Sequence, residues 1–377
     1  MRILFPVLAR FPTSDAPAVQ VANMAQAFVE LGHSVTLVAP AGPAGGRDRR
    51  NHVVPLGFDP SFSVCTLSRR IHRGQSYLHA ARIARMARPG AVDLVFSRNL
   101  RGALLPALRG VPTIFEAHTL SSLARPQDRR VLQRMVGASG FRGIVAISQA
   151  LADDLADEFG IAPDRILVAH DAVRTEAEQP CRLQREPGAP IRVGYTGSLF
   201  PGKGADALLD IAGACPWATF AIAGGPDTLA AALRQRASAE GLTNVTVHGP
   251  IDPVDARRLQ RDCDVLVAPF ARRIESDSGH DIARWTSPMK VFEYMASGRP
   301  IVISDLPVLR EVLRPDVDAL MVPPEDPDAL IAALERLRDD PELSGQLAAS
   351  ALERVRTQFT WELRARRILE RFVPEAA

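Results

Sequence analysis

Twice along this 377-residue chain, short apolar runs of strand length alternate with longer stretches of helical period, and a polar, proline-bearing stretch at residues 175–190 separates the two series. Strand-like runs fall at 3–8, 34–39, 94–97, 113–116, 143–147 and 166–169 in the first series. In the second they fall at 191–195, 219–223, 245–248, 265–268, 301–304 and 320–322. Brief, near-continuous apolar runs suit strands covered on both faces, and strands that each lead into a helix pair in parallel. Helical patterns run at about 19–31 ahead of Gly32-His33, at 149–159 behind Ser148 as N-cap, and at 205–214, 228–240 and 289–297. The fold class is therefore α/β, two doubly wound domains, each opening its ligand crevice at the C-terminal edge of its strands, with an interdomain cleft between them. The domains are expected at 1–178 and 186–352, with a tail at 353–377. An amphipathic helix at 361–372 offers Leu363, Ile368, Leu369 and Phe372 for packing.

Composition removes several classes. Apolar residues make up 46% and charged residues 23%, a globular balance, and no apolar run reaches the roughly 18–20 residues of a bilayer crossing. The opening run lacks a secretory h-region and cleavage site, so a cytoplasmic location is expected. Cys65, Cys181, Cys215 and Cys263 stand apart, without metal-ligand spacing or a paired framework, and read as reduced small hydrophobes. The net charge of +2 conceals an asymmetry: residues 1–145 hold 19 arginines against 7 acidic residues, +12, which leaves −10 for the rest. Such a lobe concentrates phosphates, acidic saccharides or an anionic lipid surface, or it is a solvated surface without a ligand. Nucleic acid is the weaker option and is not expected as a partner, because the basic stretches at 47–50, 69–73 and 129–134 have no interleaved aromatics and no recognition motif.

Of 45 basic residues only two are lysines, Lys203 and Lys290, and both lie in loops that precede a helical pattern. Codon bias with two chance survivors is one explanation; a need for a compact ammonium at an anionic oxygen is the other. Lys203 sits among Gly197, Gly202 and Gly204, where small residues let backbone N–H groups approach a phosphate at a helix start. An ordinary strand-to-helix turn would look the same, and the spacing is not that of a Walker loop. More specific is Thr286-Ser-Pro-Met-Lys-Val-Phe-Glu293, with hydroxyls at a helix start, Pro288 suited to N1, and Lys290 and Glu293 on one face. It offers helix-start amides and an ammonium to phosphate oxygens, and a carboxylate to ribose hydroxyls, which makes Ser287, Pro288, Met289, Lys290 and Glu293 the donor-binding candidates here. The competing reading is a plain surface pair.

With these motifs in order, the chain resembles the retaining glycosyltransferases of family 4, which have the GT-B fold of two facing Rossmann-like domains. The resemblance runs through Phe115-Glu-Ala-His118, Ala146-Ile-Ser148, Tyr195-Thr-Gly197 to Gly204, Ala223-Gly-Gly225, His248-Gly249, the Lys290 and Glu293 helix, and Phe359-Thr-Trp361, covering nearly the whole length. It implies a UDP- or GDP-sugar donor in the C-terminal domain, with Lys203 on the diphosphate and Glu293 on the ribose. Gly197, Ser198, Gly224 and Gly225 would line the nucleotide, although a tight turn explains the glycine pair as well. His118 would lie near the transferred sugar, or else be a histidine with a satisfied ring. His118, Lys203 and Lys290 are the catalytic candidates, no metal or other cofactor is expected, and the last helix would return to the N-terminal domain.

The expected acceptor is a glycan or lipid-linked molecule in cell-surface polysaccharide or glycoconjugate synthesis; the basic lobe suggests an anionic one, and peripheral contact of that lobe with an anionic membrane. A nucleotide-sugar epimerase and an inactive nucleotide-binding protein of the same fold are the alternatives. The sequence departs from the family at three places. Trp285 stands where the first acid of the Glu-x7-Glu pattern belongs, leaving the polar loop 276–281 or amides near Ser287 to hold sugar hydroxyls. Ser198 replaces a loop arginine, leaving Lys290, Arg272, Arg273 and Arg284 as candidates for a second phosphate cation, and residues 9–18 lack a glycine pair.

Overall fold

The computed structural model describes residues 1–13, 15–42, 60–67, 75–120, 123, 125–175, 189–276 and 279–374. The chain forms two compact units, Met1–Asp171 with Trp361–Ala377, and Ala172–Thr360. The division thus falls just ahead of the polar stretch expected to carry it, of which residues 176–188 lie outside the described ones. Residues 353–360, expected to belong with the tail, are part of the second unit, because Val355 and Phe359 pack into its core.

In the first unit the elements are β1 (Arg2–Pro6), α1 (Ala16–Glu30), β2 (Ser34–Pro40), β3 (Ser63–Leu67), α2 (Gln75–Met86), β4 (Leu94–Ser97), α3 (Leu100–Leu108), β5 (Thr113–Ala117), α4 (Pro126–Val136), β6 (Phe141–Ala146), α5 (Gln149–Phe159) and β7 (Ile166–Val168). The strands form one seven-stranded parallel sheet in the order β3-β2-β1-β4-β5-β6-β7, so the winding reverses between β1 and β4. Every residue of β4 and β5 is buried, as expected of strands covered on both faces. Ser148 caps α5 by accepting from the Leu151 amide at 3.3 Å, as the sequence predicts.

The second unit holds β8 (Ile191–Thr196), α6 (Ala205–Ala212), β9 (Ala218–Ala223), α7 (Asp227–Ala239), β10 (Val245–Gly249), α8 (Pro253–Asp262), β11 (Val265–Ala268), α9 (Met289–Ala296), β12 (Ile301–Ser304), α10 (Pro307–Arg310), β13 (Leu320–Val322), α11 (Pro327–Asp339) and α12 (Pro341–Gln358). Its six-stranded parallel sheet runs β10-β9-β8-β11-β12-β13, with the reversal between β8 and β11. Side chains alternate along β11: Val265 and Val267 join one core cluster with α6, α7 and α11, while Leu266 and Ala268 join another with α9 and α12. That alternation is why helices cover both faces.

The last helix, α13 (Trp361–Phe372), belongs to the first unit and packs against α1. Ile368, Leu369 and Phe372 are buried as expected, and Gly143 on β6 leaves the space that the Phe372 ring fills. Leu363 is only partly buried; Arg364, to which the pattern gives no inward role, is 4% exposed. Two local expectations change. Helix α9 starts at Met289, so Pro288 is its N-cap and not its N1 residue, because its ψ of 117° is still extended. Helices α8, α11 and α12 answer to no predicted pattern.

Candidate functional site

In a doubly wound sheet the strand ends at the reversal of winding are left uncovered by the crossovers, and ligands gather there. In the second unit that place is the end of β8, where Thr196 leads into Gly197. Gly197 has φ +125° and Gly224, after β9, has φ +153°. A side chain on Gly224 would run into the Gly197 carbonyl, so the two turns approach as only bare backbone can. The approach is stitched by the Gly197 amide donating to Ala223 O at 2.9 Å and the Leu199 amide donating to Gly225 O at 2.9 Å. The loop after Gly197 is gathered from beneath: the buried Tyr195 hydroxyl lies 2.6 Å from Ser198 O and 3.0 Å from Lys203 O. Gly204, at φ +100°, has the Pro269 carbonyl where a side chain would go, so it turns the loop into α6 against the end of β11.

Lys290, one residue into α9, reaches into this corner. Its Nζ is buried, makes no hydrogen bond among the described residues, and lies 3.7 Å from the centroid of the Tyr195 ring and 5.1 Å from that of Phe270. A Cβ at Gly197 would meet Lys290 Cε at 3.1 Å, so the ammonium stands directly against the turn. Burial pushes the Lys290 pKa well below 10.5, the nearby Lys203 ammonium lowers it further, and Glu293 acts against both. The only two lysines of the chain therefore repel one another across this one corner. Glu293, a turn further along α9, is pushed up by burial and drawn back by its hydrogen bond from Gln260 Nε2 (3.4 Å), by Arg257 and by Lys290. Gln260 also donates to Thr196 Oγ1 at 2.8 Å, and Tyr294 accepts from the Thr196 amide at 2.8 Å, so α8, α9 and the end of β8 are tied together.

Chemically the corner offers an ammonium without a hydrogen-bond partner, a second beside it, two glycine turns that admit close approach, and a carboxylate poised to accept from hydroxyls. A diphosphate joined to a ribose matches that set. The predicted residues Gly197, Ser198, Lys203, Gly224, Gly225, Ser287, Pro288, Met289, Lys290 and Glu293 all lie in this unit, on the turns and helix just described. Other candidates are placed differently. Arg272 lies 3.7 Å from Glu325 and Arg273 3.5 Å from Glu275, both as exposed ion pairs, while Lys290 is the cation that senses Lys203. In the loop offered as a substitute for the missing acid, Asp281 accepts from the Ile274 and Ala283 amides at 3.1 and 3.0 Å, so it is committed to holding its own turn; residues 277 and 278 lie outside the described ones.

His118 follows β5 in the first unit, and its Nε2 lies 3.0 Å from Glu116 Oε1. Glu116 is 2% exposed, and the same oxygen accepts from Arg364 Nη2 at 2.8 Å and Gln20 Nε2 at 2.9 Å. Gln20 in turn accepts from Arg98 Nη1 at 2.6 Å and donates to the buried Asp171 at 3.2 Å. Burial pushes the Glu116 pKa up, but Arg364, His118 and Arg98 together hold it well below the usual carboxylate range. Burial and Arg98 lower the His118 pKa against the pull of Glu116 and Asp171. Sequence reading gives no role to Glu116, Arg364, Gln20, Arg98 or Asp171. The available signal was a carboxylate inside an apolar strand run.

Two parallel, doubly wound α/β units in one chain define the GT-B class of fold. The crystal structure of Anabaena HepE in complex with UDP is similar over 98% of this chain and 99% of that one, with a TM-score of 0.73 at 17% identity. Sucrose-phosphate synthase from Thermosynechococcus elongatus gives 0.73 at 18% identity over the full length of both chains. The family model described as Glycosyltransferase Family 4 matches residues 17–177, and that described as Glycosyl transferases group 1 matches residues 190–340. The chain belongs to glycosyltransferase family 4. A D-inositol 3-phosphate glycosyltransferase from Thermomonospora curvata is 27% identical over 296 residues, 69% of this chain and 65% of that protein. An Escherichia coli O-antigen chain mannosyltransferase C is 26% identical over 167 residues, 44% of this chain and 42% of that protein. Among the described residues no helix is long and apolar enough to cross a membrane.

Proposed function

We propose that this protein transfers a glycosyl group, with retention of anomeric configuration, from a UDP- or GDP-sugar to a glycan or lipid-linked acceptor in cell-surface polysaccharide or glycoconjugate synthesis. One observation carries the donor half: the Lys290 ammonium is buried over the Tyr195 ring without a hydrogen-bond partner, beside Lys203, at the sheet reversal. Leaving such a group unpaired is costly, and a diphosphate would satisfy it. The HepE neighbour was crystallised with UDP and with UDP-glucose, which supports a nucleotide-sugar donor, and the O-antigen relative supports a surface glycan as product.

In this reading Lys203, Lys290 and the backbone amides at the start of α9 are aimed in advance at the charge that grows on the departing diphosphate. These fixed cations do the work that a metal ion would otherwise do. Glu293 holds the ribose hydroxyls, and Ser198, Gly224 and Gly225 admit the nucleotide. The leaving phosphate takes the acceptor proton on the face it vacates, which preserves configuration without a protein base. His118 contacts the transferred sugar. The +12 charge of residues 1–145 favours an anionic acceptor and contact with an anionic membrane surface.

A thermal-shift series with UDP, GDP and their sugars tests the donor half, since a specific ligand raises stability by mass action. A nucleoside diphosphate should raise the melting temperature of the wild type and do so far less in Lys290→Met. Equal shifts in both proteins would overturn the assignment of the corner. Incubation with donor alone in EDTA then separates transfer, with at most slow hydrolysis, from sugar inversion.

A further inference from the structure

The buried cluster of the first unit contains a carboxylate oxygen on which three donors converge. Glu116 Oε1 accepts from Arg364 Nη2 at 2.8 Å and Gln20 Nε2 at 2.9 Å, and His118 Nε2 completes the set at 3.0 Å. The Arg364 guanidinium and the Gln20 amide nitrogen can only donate, so that oxygen carries lone pairs and the His118 nitrogen facing it must carry a proton. Glu116 is kept ionised by Arg364, His118 and Arg98, and burial with Arg98 lowers the His118 pKa, which favours the neutral ring. A neutral imidazole protonated at Nε2 has a bare Nδ1. The His118 side chain is 21% exposed, and among the described residues its Nδ1 has no hydrogen-bond partner.

We propose that Glu116 is a positioning residue for His118: its carboxylate fixes the ring with the proton on Nε2, making Nδ1 a hydrogen-bond acceptor for a hydroxyl of the bound sugar. This rests on the reading above that His118 meets the transferred sugar. Glu116 is itself held from the far end of the sequence. Arg364 is clamped by donating from Nε to His170 O at 2.8 Å and from Nη2 to Ala169 O at 3.1 Å, so its remaining reach is spent on the carboxylate. Gln20 cannot turn its amide round, because its oxygen accepts from Arg98 Nη1 at 2.6 Å and its nitrogen serves both Glu116 and Asp171. A hydroxyl-bearing ligand therefore meets an acceptor whose polarity is set before it arrives.

The test is the tautomer itself. Long-range 1H–15N spectra of the full-length protein labelled in histidine nitrogen, with His118 identified by the signals missing from His118→Gln, should show Nε2 protonated and Nδ1 bare at neutral pH. The same ring in Glu116→Gln, which has nearly the same shape without the charge, should give mixed tautomers. For a working donor and acceptor pair, kcat in Glu116→Gln should fall about tenfold or more, the worth of one charge-assisted hydrogen bond, with the KM for the nucleotide sugar little changed. A wild-type ring protonated at Nδ1 would overturn the proposal, as would a Glu116→Gln variant whose kcat stays within about twofold of wild type. If Glu116→Gln does not fold, the wild-type tautomer decides alone. The tautomer is read without turnover, so an absence of glycosyl transfer would defeat the functional reading and leave this measurement standing.

Discussion

Lys290 shows how much one buried side chain can say about the corner of the fold it occupies. Its Nζ lies over an aromatic face, which attracts a cation but cannot replace the water it has lost. A lysine whose ammonium is disfavoured on folding binds fewer protons in the folded than in the unfolded state. Stability therefore rises with pH between its lowered folded pKa and 10.5, and falls on acidification through that window. Urea unfolding at pH steps just below 10.5 should show the wild type gaining stability over Lys290→Met as pH increases; parallel profiles would refute the shift. A bound diphosphate favours the ammonium, so its binding should be accompanied by proton uptake.

Helices divide by how they begin. Asp252, Asp326 and Asp340 cap α8, α11 and α12 through their side chains, whereas α6 and α9, which flank the Lys290 corner, start at Gly204 and Pro288 without a side-chain cap. Capping closes a helix start to other partners, and an uncapped start leaves amides for an anion. Replacing Asp326 with alanine should thus cost about 1 kcal/mol of stability, measured by denaturant unfolding, and leave nucleotide affinity unchanged. A lost nucleotide response would show that this start also serves the site. The same elements mark what could be read from the chain. Apart from the mostly exposed β3, which no apolar run announced, the strand series was legible because burial on both faces writes continuous apolar runs, and the Lys290 motif because its residues are sequence neighbours. Helices α8, α11 and α12 each carry an Asp-Pro start that the periodic pattern passed over. The Glu116 cluster was illegible for a different reason: it joins residues 20, 98, 116, 118, 171 and 364, and no local pattern reports that such distant positions meet.

At the scale of the molecule, the first unit is built from both ends of the described chain, and the second lies wholly between them. Arg364 makes that arrangement consequential, because Arg364→Met would leave the Glu116 carboxylate buried without its guanidinium. The expected loss of stability is about 3–5 kcal/mol, and Glu116→Gln in the Arg364→Met background should recover much of it. A double-mutant cycle by chemical denaturation checks both; additive losses would mean the pair is not coupled.

During synthesis the order of events is then constrained. The ribosome releases β1 to β7 long before α13, so the nascent first unit must wait, with a charged strand residue lacking its counter-ion, while all of the second unit is being made. The later-made unit has every one of its own segments available sooner than the earlier one does. Completion of the N-terminal fold, and with it the setting of His118, is tied to the arrival of the final helix.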